Sequence, residues 1–358
     1  MNLFRHTLVS IFVVAASIYG FDVRVRSLEQ SRAGSIDQTV AARHTKPAPA
    51  PKHWLGLIGE YGPDDGILYI LEKDGHLCSL FKGAQIECFD EAKGGFRYDS
   101  NSPHAGQPLQ FKRDSKGRAA EIKIGNDVLK RRQIEPEGGA GQLHVKPLRP
   151  VPELIKEALA AKPPDEGNDF LPSDLVELRK LDPTIKLDIR YATTNNLFSS
   201  VFYSEARAFM QRPAAEAVIR ANRKLKEHGY GLLVHDAYRP WYVTKVFWDA
   251  TPDDKKLFVA DPSKGSRHNR GAAVDITLYN LKTGKPVEMV STYDETTDRA
   301  SPDYPGGTSL QRWHRQLLRD AMEAEGFTVY EAEWWHFDYK DWQKYAIGNL
   351  RFDRVGVK

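Results

Sequence analysis

Two short segments of the sequence combine histidines with acidic residues at spacings that could bind a metal ion. The first, from Ser266 to Asp275, reads SRHNRGAAVD. An aspartate inside the apolar, strand-like run 272–278 needs a partner, because an unpaired buried charge is unfavourable. His268 lies seven residues earlier, so the two side chains converge only if the strand bends, and Gly271 allows that bend. This pair at one strand edge suits zinc, although an arginine or backbone amides could also hold the aspartate.

The second segment runs from Glu331 to Tyr339 and reads EAEWWHFDY. Its aromatic residues predict a strand packed on a core, in which the polar side chains of Glu333 and His336 need partners. A zinc ion would be a partner for His336, and Glu333 could then take the proton of a water molecule that attacks a carbonyl group. Three protein ligands with an open fourth position are typical of catalytic zinc.

A third segment, from Asp236 to Pro240, reads DAYRP and follows a predicted strand over Gly231–His235. An arginine at such a strand-to-helix turn can reach a site built at the same edge of the sheet. The fixed charge of Arg239 could stabilise the oxyanion of a tetrahedral intermediate. A structural salt bridge would explain the same arginine equally well, so both interpretations stay open.

Together with the string YATTNN at 191–196, these segments resemble the VanX-type D-alanyl-D-alanine dipeptidases, zinc enzymes related to the D-Ala-D-Ala carboxypeptidases. The resemblance runs from about Asp174 to the C-terminus. It rests on four motifs in the same order and on the separations within them, seven residues in the first segment and three in the second. It implies zinc ligands at His268, Asp275 and His336, a catalytic base at Glu333 and a transition-state arginine at Arg239.

The resemblance also implies substrate contacts at Ser266, near the substrate carboxylate, and at Asp294, near the free amino group. An acid at the second position distinguishes a dipeptidase from a carboxypeptidase, because the ammonium of a dipeptide needs a negative partner and a long stem peptide has no such group there. Arg267 departs from the family, which often has serine at this place, and the change could alter the contacts to the substrate carboxylate.

The elements that position these residues form the last of five predicted segments. We expect an α+β fold, with a zinc D-Ala-D-Ala peptidase-like catalytic domain of antiparallel sheet and helices preceded by a small all-β domain. Within the catalytic domain we predict helices over 213–228 and 309–325 and strands over 231–235 and 327–330. The five segments are a signal peptide or N-terminal anchor (1–20), a Pro/Ala-rich linker (21–53), the β domain (54–134), a linker with a short helix near 153–161 (135–172) and the catalytic domain (173–358).

The N-terminal half carries signals of export. Arg5 and His6 precede a short apolar run over 8–19 that contains small residues, a pattern typical of a secretory signal, although an uncleaved anchor stays open. We therefore expect a periplasmic or secreted protein that meets a membrane only if this segment is uncleaved. In such a protein Cys78 and Cys88, on either side of a predicted hairpin turn, could form a disulfide or remain free.

The charge composition bears on one class of partner. The 358 residues include 51 basic and 48 acidic residues without a basic run, which gives no case for nucleic acid.

The sequence predicts zinc-dependent hydrolysis of D-alanyl-D-alanine, a small D-amino-acid dipeptide, in cell-wall peptide turnover, with one zinc per catalytic domain. Two alternatives remain: a D,D- or L,D-carboxypeptidase acting on peptidoglycan stem peptides, or a cell-wall-binding protein with a degenerate peptidase domain. The β domain could bind peptidoglycan.

Overall fold

Residues 59–130 form an eight-stranded antiparallel sheet in the computed structural model, which describes residues 45–81, 84–92, 95–134 and 144–355. A short helix, α1 (Lys52–Leu55), precedes it. The strands lie side by side in chain order: β1 Gly59–Tyr61, β2 Leu68–Lys73, β3 His76–Phe81, β4 Glu87–Ala92, β5 Gly95–Tyr98, β6 Pro108–Arg113, β7 Ala119–Ile124 and β8 Asp127–Lys130. Hydrogen bonds from Gly62 N to Lys130 O (2.9 Å) and from Arg132 N to Glu60 O (2.8 Å) join its first strand to the end of its last. We call it the N-terminal sheet.

Strand β2 is buried on both of its faces. Leu68 and Ile70 point into the core of the N-terminal sheet, whereas Ile67, Tyr69 and Leu71 belong to the main hydrophobic cluster of the C-terminal half. Alternate residues of a strand point to opposite sides, so one strand can serve two cores. The β structure predicted for residues 54–134 is therefore present, but it shares a core with the rest of the protein. From Pro47 onward the chain is one compact unit.

Two features of the N-terminal half bear on the sequence predictions. Cys78 and Cys88 are direct cross-strand partners on β3 and β4 and form a disulfide. Helix α2 (Val151–Ala160) lies within the stretch 135–172 that the sequence predicts as a linker, yet its buried residues join the main hydrophobic cluster. The predicted segment 1–20, most of the linker 21–53 and residues 135–143 lie outside the described residues.

The elements of the C-terminal half are β9 Leu175–Glu177, α3 Leu178–Leu181, β10 Lys186–Leu187, β11 Phe209–Gln211, α4 Arg212–Glu227, β12 Tyr230–Asp236, α5 Trp241–Ala250, β13 Ala273–Asn280, α6 Ser309–Glu323, β14 Phe327–Tyr330 and β15 Glu333–Tyr339. Five of these strands form one sheet in the order β10-β12-β13-β15-β14, and β9 pairs with β11 in a separate ribbon. Helices α4 and α6 pack on each other, and α2 packs on α5. The expected α+β class is confirmed.

The expected antiparallel sheet is present except at one edge. Strand β10 pairs with β12 in parallel, while the other neighbours are antiparallel. The chain between these two strands includes α4, and a long crossover of this kind is what brings two strands into the same direction. Helices α4 and α6 end at Glu227 and Glu323, within two residues of the predicted ends, and Gly229 and Gly326 stand in the turns that follow with φ values of 83° and 87°. In the described ranges, none of the helices has both the length and the apolar character needed to cross a bilayer.

Candidate metal centre

Three acidic and histidine side chains stand in one row across the middle of the C-terminal sheet. Asp275 on β13 is paired with Asp236 on β12 and with His336 on β15. Directly opposite residues on neighbouring strands hold their side chains within contact distance. A bulge between Val234 and Asp236 ends the regular pairing of β12, so the row lies where that strand leaves the sheet.

His268 reaches this row from a 3₁₀ turn over Arg267–Arg270 that immediately precedes β13. Ser266 caps the turn, and its side chain accepts a hydrogen bond from His268 N at 3.3 Å. Gly271 ends the turn with φ 67°, a left-handed conformation that favours glycine. A Cβ atom there would also lie 2.5 Å from Leu175 Cδ2. The predicted bend at Gly271 is therefore confirmed, and it returns His268 to the edge that carries Asp275.

The three side chains bring one ligand atom each to a common point. His268 Nε2 lies 3.1 Å from His336 Nδ1 and 3.4 Å from Asp275 Oδ1, and His336 Nδ1 lies 3.0 Å from Asp275 Oδ1. Ligands at about 2.0–2.1 Å from a tetrahedral zinc ion stand about 3.4 Å apart, close to these separations. All three residues are buried, and they form a potential metal-binding group of the described chain.

Neighbouring groups determine which nitrogen of each imidazole is free to bind a metal. His268 Nδ1 donates a hydrogen bond to Ala237 O at 2.8 Å, since a carbonyl oxygen can only accept. His336 Nε2 lies 3.1 Å from Asp338 Oδ1 and donates to that carboxylate. In the neutral imidazoles, His268 Nε2 and His336 Nδ1 therefore carry no proton. Each has a free lone pair, and both nitrogens face Asp275 Oδ1. Three acceptors that converge in this way fit a metal cation, and such outer partners fix the orientation of metal-binding histidines.

The pKa values of the same groups show how strongly this point attracts positive charge. Burial lowers the pKa of His336, but its hydrogen bonds with Asp275 and Asp338 raise it to about 10. Burial raises the pKa of Asp275, but His268 and His336 hold it well below its usual range. Without a metal ion, a proton on His336 therefore supplies the positive charge that these three side chains attract.

Glu333 and Arg239 flank the ligand group. Glu333 begins β15 directly after the turn from β14, and its Oε2 lies 3.9 Å from His336 Nδ1. Its side chain is 39% exposed, so it borders both the metal group and the open cleft. Burial raises the pKa of Glu333, His336 lowers it and Asp275 raises it, and the net increase makes this carboxylate a better proton acceptor.

Arg239 is held rigidly at the turn between β12 and α5, where the sequence predicts it. Its Nε and Nη2 donate to Asp236 Oδ2 at 3.0 and 2.8 Å, and Tyr203 OH donates to Asp236 Oδ1 at 2.7 Å. The guanidinium lies over the rings of Tyr191 and Phe247, at 5.1 and 4.9 Å from their centroids. The two interpretations of this arginine are compatible, because it forms a salt bridge and still lines the cleft.

A cleft of about 710 Å³ contains the ligand group, Glu333 and Arg239, and its wall also includes Ser266 and Asp294. Asp294 has φ 60°, a sparsely populated conformation for this residue type, and accepts a hydrogen bond from Tyr191 OH at 3.3 Å. Burial, with the negative charges of Asp275 and Glu333, raises its pKa to about 8. The structure thus brings all seven predicted site residues to one cleft.

The sequence analysis did not predict several residues that support the site. Tyr293 OH donates to Asp275 Oδ2 at 3.0 Å, and Asp338 holds His336, while Arg267 pairs with Asp338 and lies over the ring of Tyr330 at 5.0 Å. A signal existed for Asp338, because a residue two positions after His336 in a strand shares its face. Arg267, which replaces a serine common in the family, supports the carboxylate that positions a ligand.

Comparison with known proteins locates the similarity in this half of the chain. The D-Ala-D-Ala dipeptidase family matches residues 172–353, which include all seven predicted site residues and exclude the N-terminal sheet. The D-alanyl-D-alanine dipeptidase of Enterococcus faecium is 33% identical over 175 residues, 44% of this chain and 87% of that protein. That of Escherichia coli K12 is 30% identical over 175 residues, 49% of this chain and 89% of that protein. A solved LD-carboxypeptidase structure matches with a TM-score of 0.28 and 20% identity over 51% of this chain and 71% of that one.

Proposed function

This chain belongs to the D-Ala-D-Ala dipeptidase family, and we propose that it hydrolyses D-alanyl-D-alanine with one zinc ion per catalytic domain. One observation carries the proposal. His268, Asp275 and His336 direct three ligand atoms at one point, and the outer partners Ala237 and Asp338 fix the protons of both imidazoles on the far side. A structural cluster of buried polar groups would pair donors with acceptors instead.

The residues around this point supply the parts of a peptide hydrolysis. A zinc ion held there would act as a Lewis acid, which makes water more acidic and polarises a carbonyl oxygen. Glu333 takes the proton from the attacking water and delivers it to the nitrogen of the leaving D-alanine. Arg239, fixed by Asp236, places its positive charge where the carbonyl oxygen becomes negative.

The walls of the cleft favour a small substrate with a free amino group. Asp294 is a partly buried carboxyl group whose raised pKa indicates that it lacks a full positive partner, and a substrate ammonium would be that partner. Ser266 lies at the same cleft, where its hydroxyl can donate to the substrate carboxylate while its oxygen caps the turn before β13. A volume of about 710 Å³ is within the usual range for small-molecule sites.

We also propose that the protein works in the periplasm or outside the cell, as the first twenty residues predict. The disulfide between Cys78 and Cys88 supports this location, because such bonds persist mainly in oxidising compartments. A reporter that is active only after export, fused behind residue 46, should be active in cells. An inactive export reporter together with an active cytoplasmic one would contradict this location.

The test of the substrate class compares two proteins and two substrates. Asp294→Ala should lower kcat/KM for D-alanyl-D-alanine about thirtyfold to several-thousandfold, because removing one partner of a desolvated charge pair leaves the other unpaired. The N-acetylated dipeptide, which has no ammonium, should be a poor substrate of the wild type and lose little more in the variant. Asp303→Ala, which removes a carboxylate that is 83% exposed, is the matched control and should leave both rates unchanged.

The alternatives predict different results in the same assay. A carboxypeptidase would cleave a stem pentapeptide or the acetylated dipeptide as well as the free dipeptide, and Asp294→Ala would then have little effect. A cell-wall-binding protein with a degenerate site would cleave none of these substrates in the presence of zinc. Either result would refute the dipeptidase proposal.

A further inference from the structure

The loop that carries Asp294 separates two cavities. On one side, Asp294 and residues 295–298 line the catalytic cleft, and on the other side Tyr293 and residues 290–292 line a second cavity of about 640 Å³. The far wall of the second cavity includes Ile58 and Glu60 of the N-terminal half. Because open space lies behind this part of the loop, the groups that fix its two ends must set the position of Asp294.

The loop is tied together internally around Glu295, which is buried. This carboxylate accepts from Thr292 N at 3.2 Å and from Thr297 Oγ1 at 2.5 Å, and it pairs with Arg299 Nε at 3.3 Å. Arg299 Nη2 also donates to Val290 O at 2.9 Å. These contacts tie residues 290–299 together, so this segment should shift as one body when the residues that hold its ends shift.

The N-terminal sheet provides an anchor a few residues beyond this unit. Tyr304 OH donates to Glu60 Oε1 at 2.8 Å, and both side chains are buried. The other oxygen of Glu60 pairs with Arg132 Nε at 3.1 Å. The ring of Tyr304 meets the ring of Tyr69 on β2 edge to face, at 5.8 Å between centroids. Strands β1 and β2 therefore hold Tyr304 by a hydrogen bond and by packing.

Glu72, at the end of β2, holds the backbone just after Tyr304. Its Oε2 accepts from Ser309 N at 2.7 Å, at the start of α6, and its own backbone N donates to Gly307 O at 3.1 Å. Arg312 of α6 donates to Glu72 O at 2.6 Å. The segment 304–309 is thus joined to the N-terminal sheet at both of its ends.

We propose that the N-terminal sheet is a positioning element of the active site: through the Glu60–Tyr304 contact it sets the loop of Asp294 and so the affinity for the substrate's amino group. The inference rests on the proposed dipeptidase function. Neither Glu60 nor Tyr304 belongs to the ligand group or lines the cleft around it, so they act through the loop. A contact that only stabilised the fold would affect every substrate by the same factor.

The experiment uses the full chain with zinc and two variants that remove the hydrogen bond, Tyr304→Phe and Glu60→Ala. KM for D-alanyl-D-alanine should rise about threefold to thirtyfold, with a smaller change in kcat, as for other residues that couple to a site through packed contacts. For N-acetyl-D-alanyl-D-alanine, measured at high enzyme concentration, kcat/KM should stay at the wild-type value. Hydrogen–deuterium exchange within residues 290–301 should become faster. Glu121→Gln, which breaks an ion pair with the exposed Lys112 on the same sheet, is the control and should change none of these quantities.

The proposal is overturned if both variants keep the wild-type KM and exchange rates, or if activity falls equally on the two substrates. Loss of zinc would also overturn it, because the contact would then support the metal group instead of the loop. If the Glu60 variant does not fold, Tyr304→Phe remains, because it keeps the ring packed on Tyr69 and removes only the hydroxyl. A wild-type protein that fails to cleave the free dipeptide refutes the proposed function, whereas the exchange measurement tests the anchor without any substrate.

Discussion

Two of the places where this protein buries carboxylates differ in how those carboxylates are satisfied. At the contact of the N-terminal sheet, the two oxygens of Glu72 accept from Gly75 N and Ser309 N, and those of Glu60 are bound by Tyr304 and Arg132. At the metal centre, Asp275 Oδ2 accepts from Tyr293 OH, but its Oδ1 faces two imidazole nitrogens whose protons are held on the opposite side. The first carboxylates are satisfied by the fold, whereas Asp275 requires a cation.

The difference gives a physical criterion for separating structural from functional buried charge. A buried carboxylate is tolerated when donors surround it, and removing it then leaves those donors unpaired. A buried carboxylate that shares its open side with other acceptors is stable only if a proton or a metal ion lies between them. Burial alone cannot make the distinction, because Glu72 is 1% exposed and Asp275 is 3% exposed.

The largest effect should come from removing a ligand of the metal centre. Wild-type protein should retain about one zinc ion after dialysis, and His336→Ala should lose it and fall to background activity, because two ligands are too few for a tight site. Atomic absorption together with the dipeptide assay measures both. His104→Ala, which removes an exposed histidine paired with Glu87, should keep its zinc. Full zinc occupancy in the His336 variant would refute the assignment of this residue.

The next effect separates catalysis from metal binding at one position. Glu333→Gln should keep its zinc and its fold and lose about 10²–10⁴-fold in kcat, since an amide cannot take the proton that a carboxylate takes. Loss of Glu333 would then impair catalysis and keep the metal, whereas loss of His336, three positions later on β15, would remove the metal as well. If the Glu333 variant lost its zinc, the residue would be a ligand and another group would have to serve as the base.

Much of the metal centre was predictable because its determinants are local in the sequence. The turn before β13 needs a glycine after His268, and the sequence places Gly271 there. Helices α4 and α6 are likewise followed by Gly229 and Gly326, and these glycines are visible in a short stretch of sequence. The outer partners of the ligands were harder to predict, because the carbonyl of Ala237 and the hydroxyl of Tyr293 meet the site only after the sheet has formed.

The role of the N-terminal sheet could not be predicted in the same way. Its contacts with the C-terminal half join residues more than two hundred positions apart, such as Glu72 and Ser309, and carry no local pattern. One signal was available, because the run 67–71 is apolar at every position instead of alternating. Continuous apolar runs are typical of strands buried on both faces, and β2 is such a strand.

The smallest effects provide the closest test of the comparison, because they change one carboxylate to an amide in each region. Asp338→Asn keeps an oxygen for His336 Nε2 but removes the charge that orients this ligand, so zinc affinity should fall about tenfold to a hundredfold and added zinc should restore activity.

Glu72→Gln places an NH₂ group against one of two backbone N–H donors. Leaving that donor unpaired should lower the free energy of unfolding by about 1–3 kcal/mol without changing zinc affinity.

Urea unfolding and zinc titration of both variants complete this test. The two regions differ as we describe if Glu72→Gln changes mainly the free energy of unfolding and Asp338→Asn changes mainly the zinc affinity. Asp338 also pairs with Arg267, so its variant should lose some stability, but less than the Glu72 variant, since Arg267 is 39% exposed and water can replace the lost partner. If instead Glu72→Gln weakened zinc binding as much as Asp338→Asn did, the satisfied carboxylates would belong to the metal centre, and the count of donors around a buried acid would not separate structure from function in this protein.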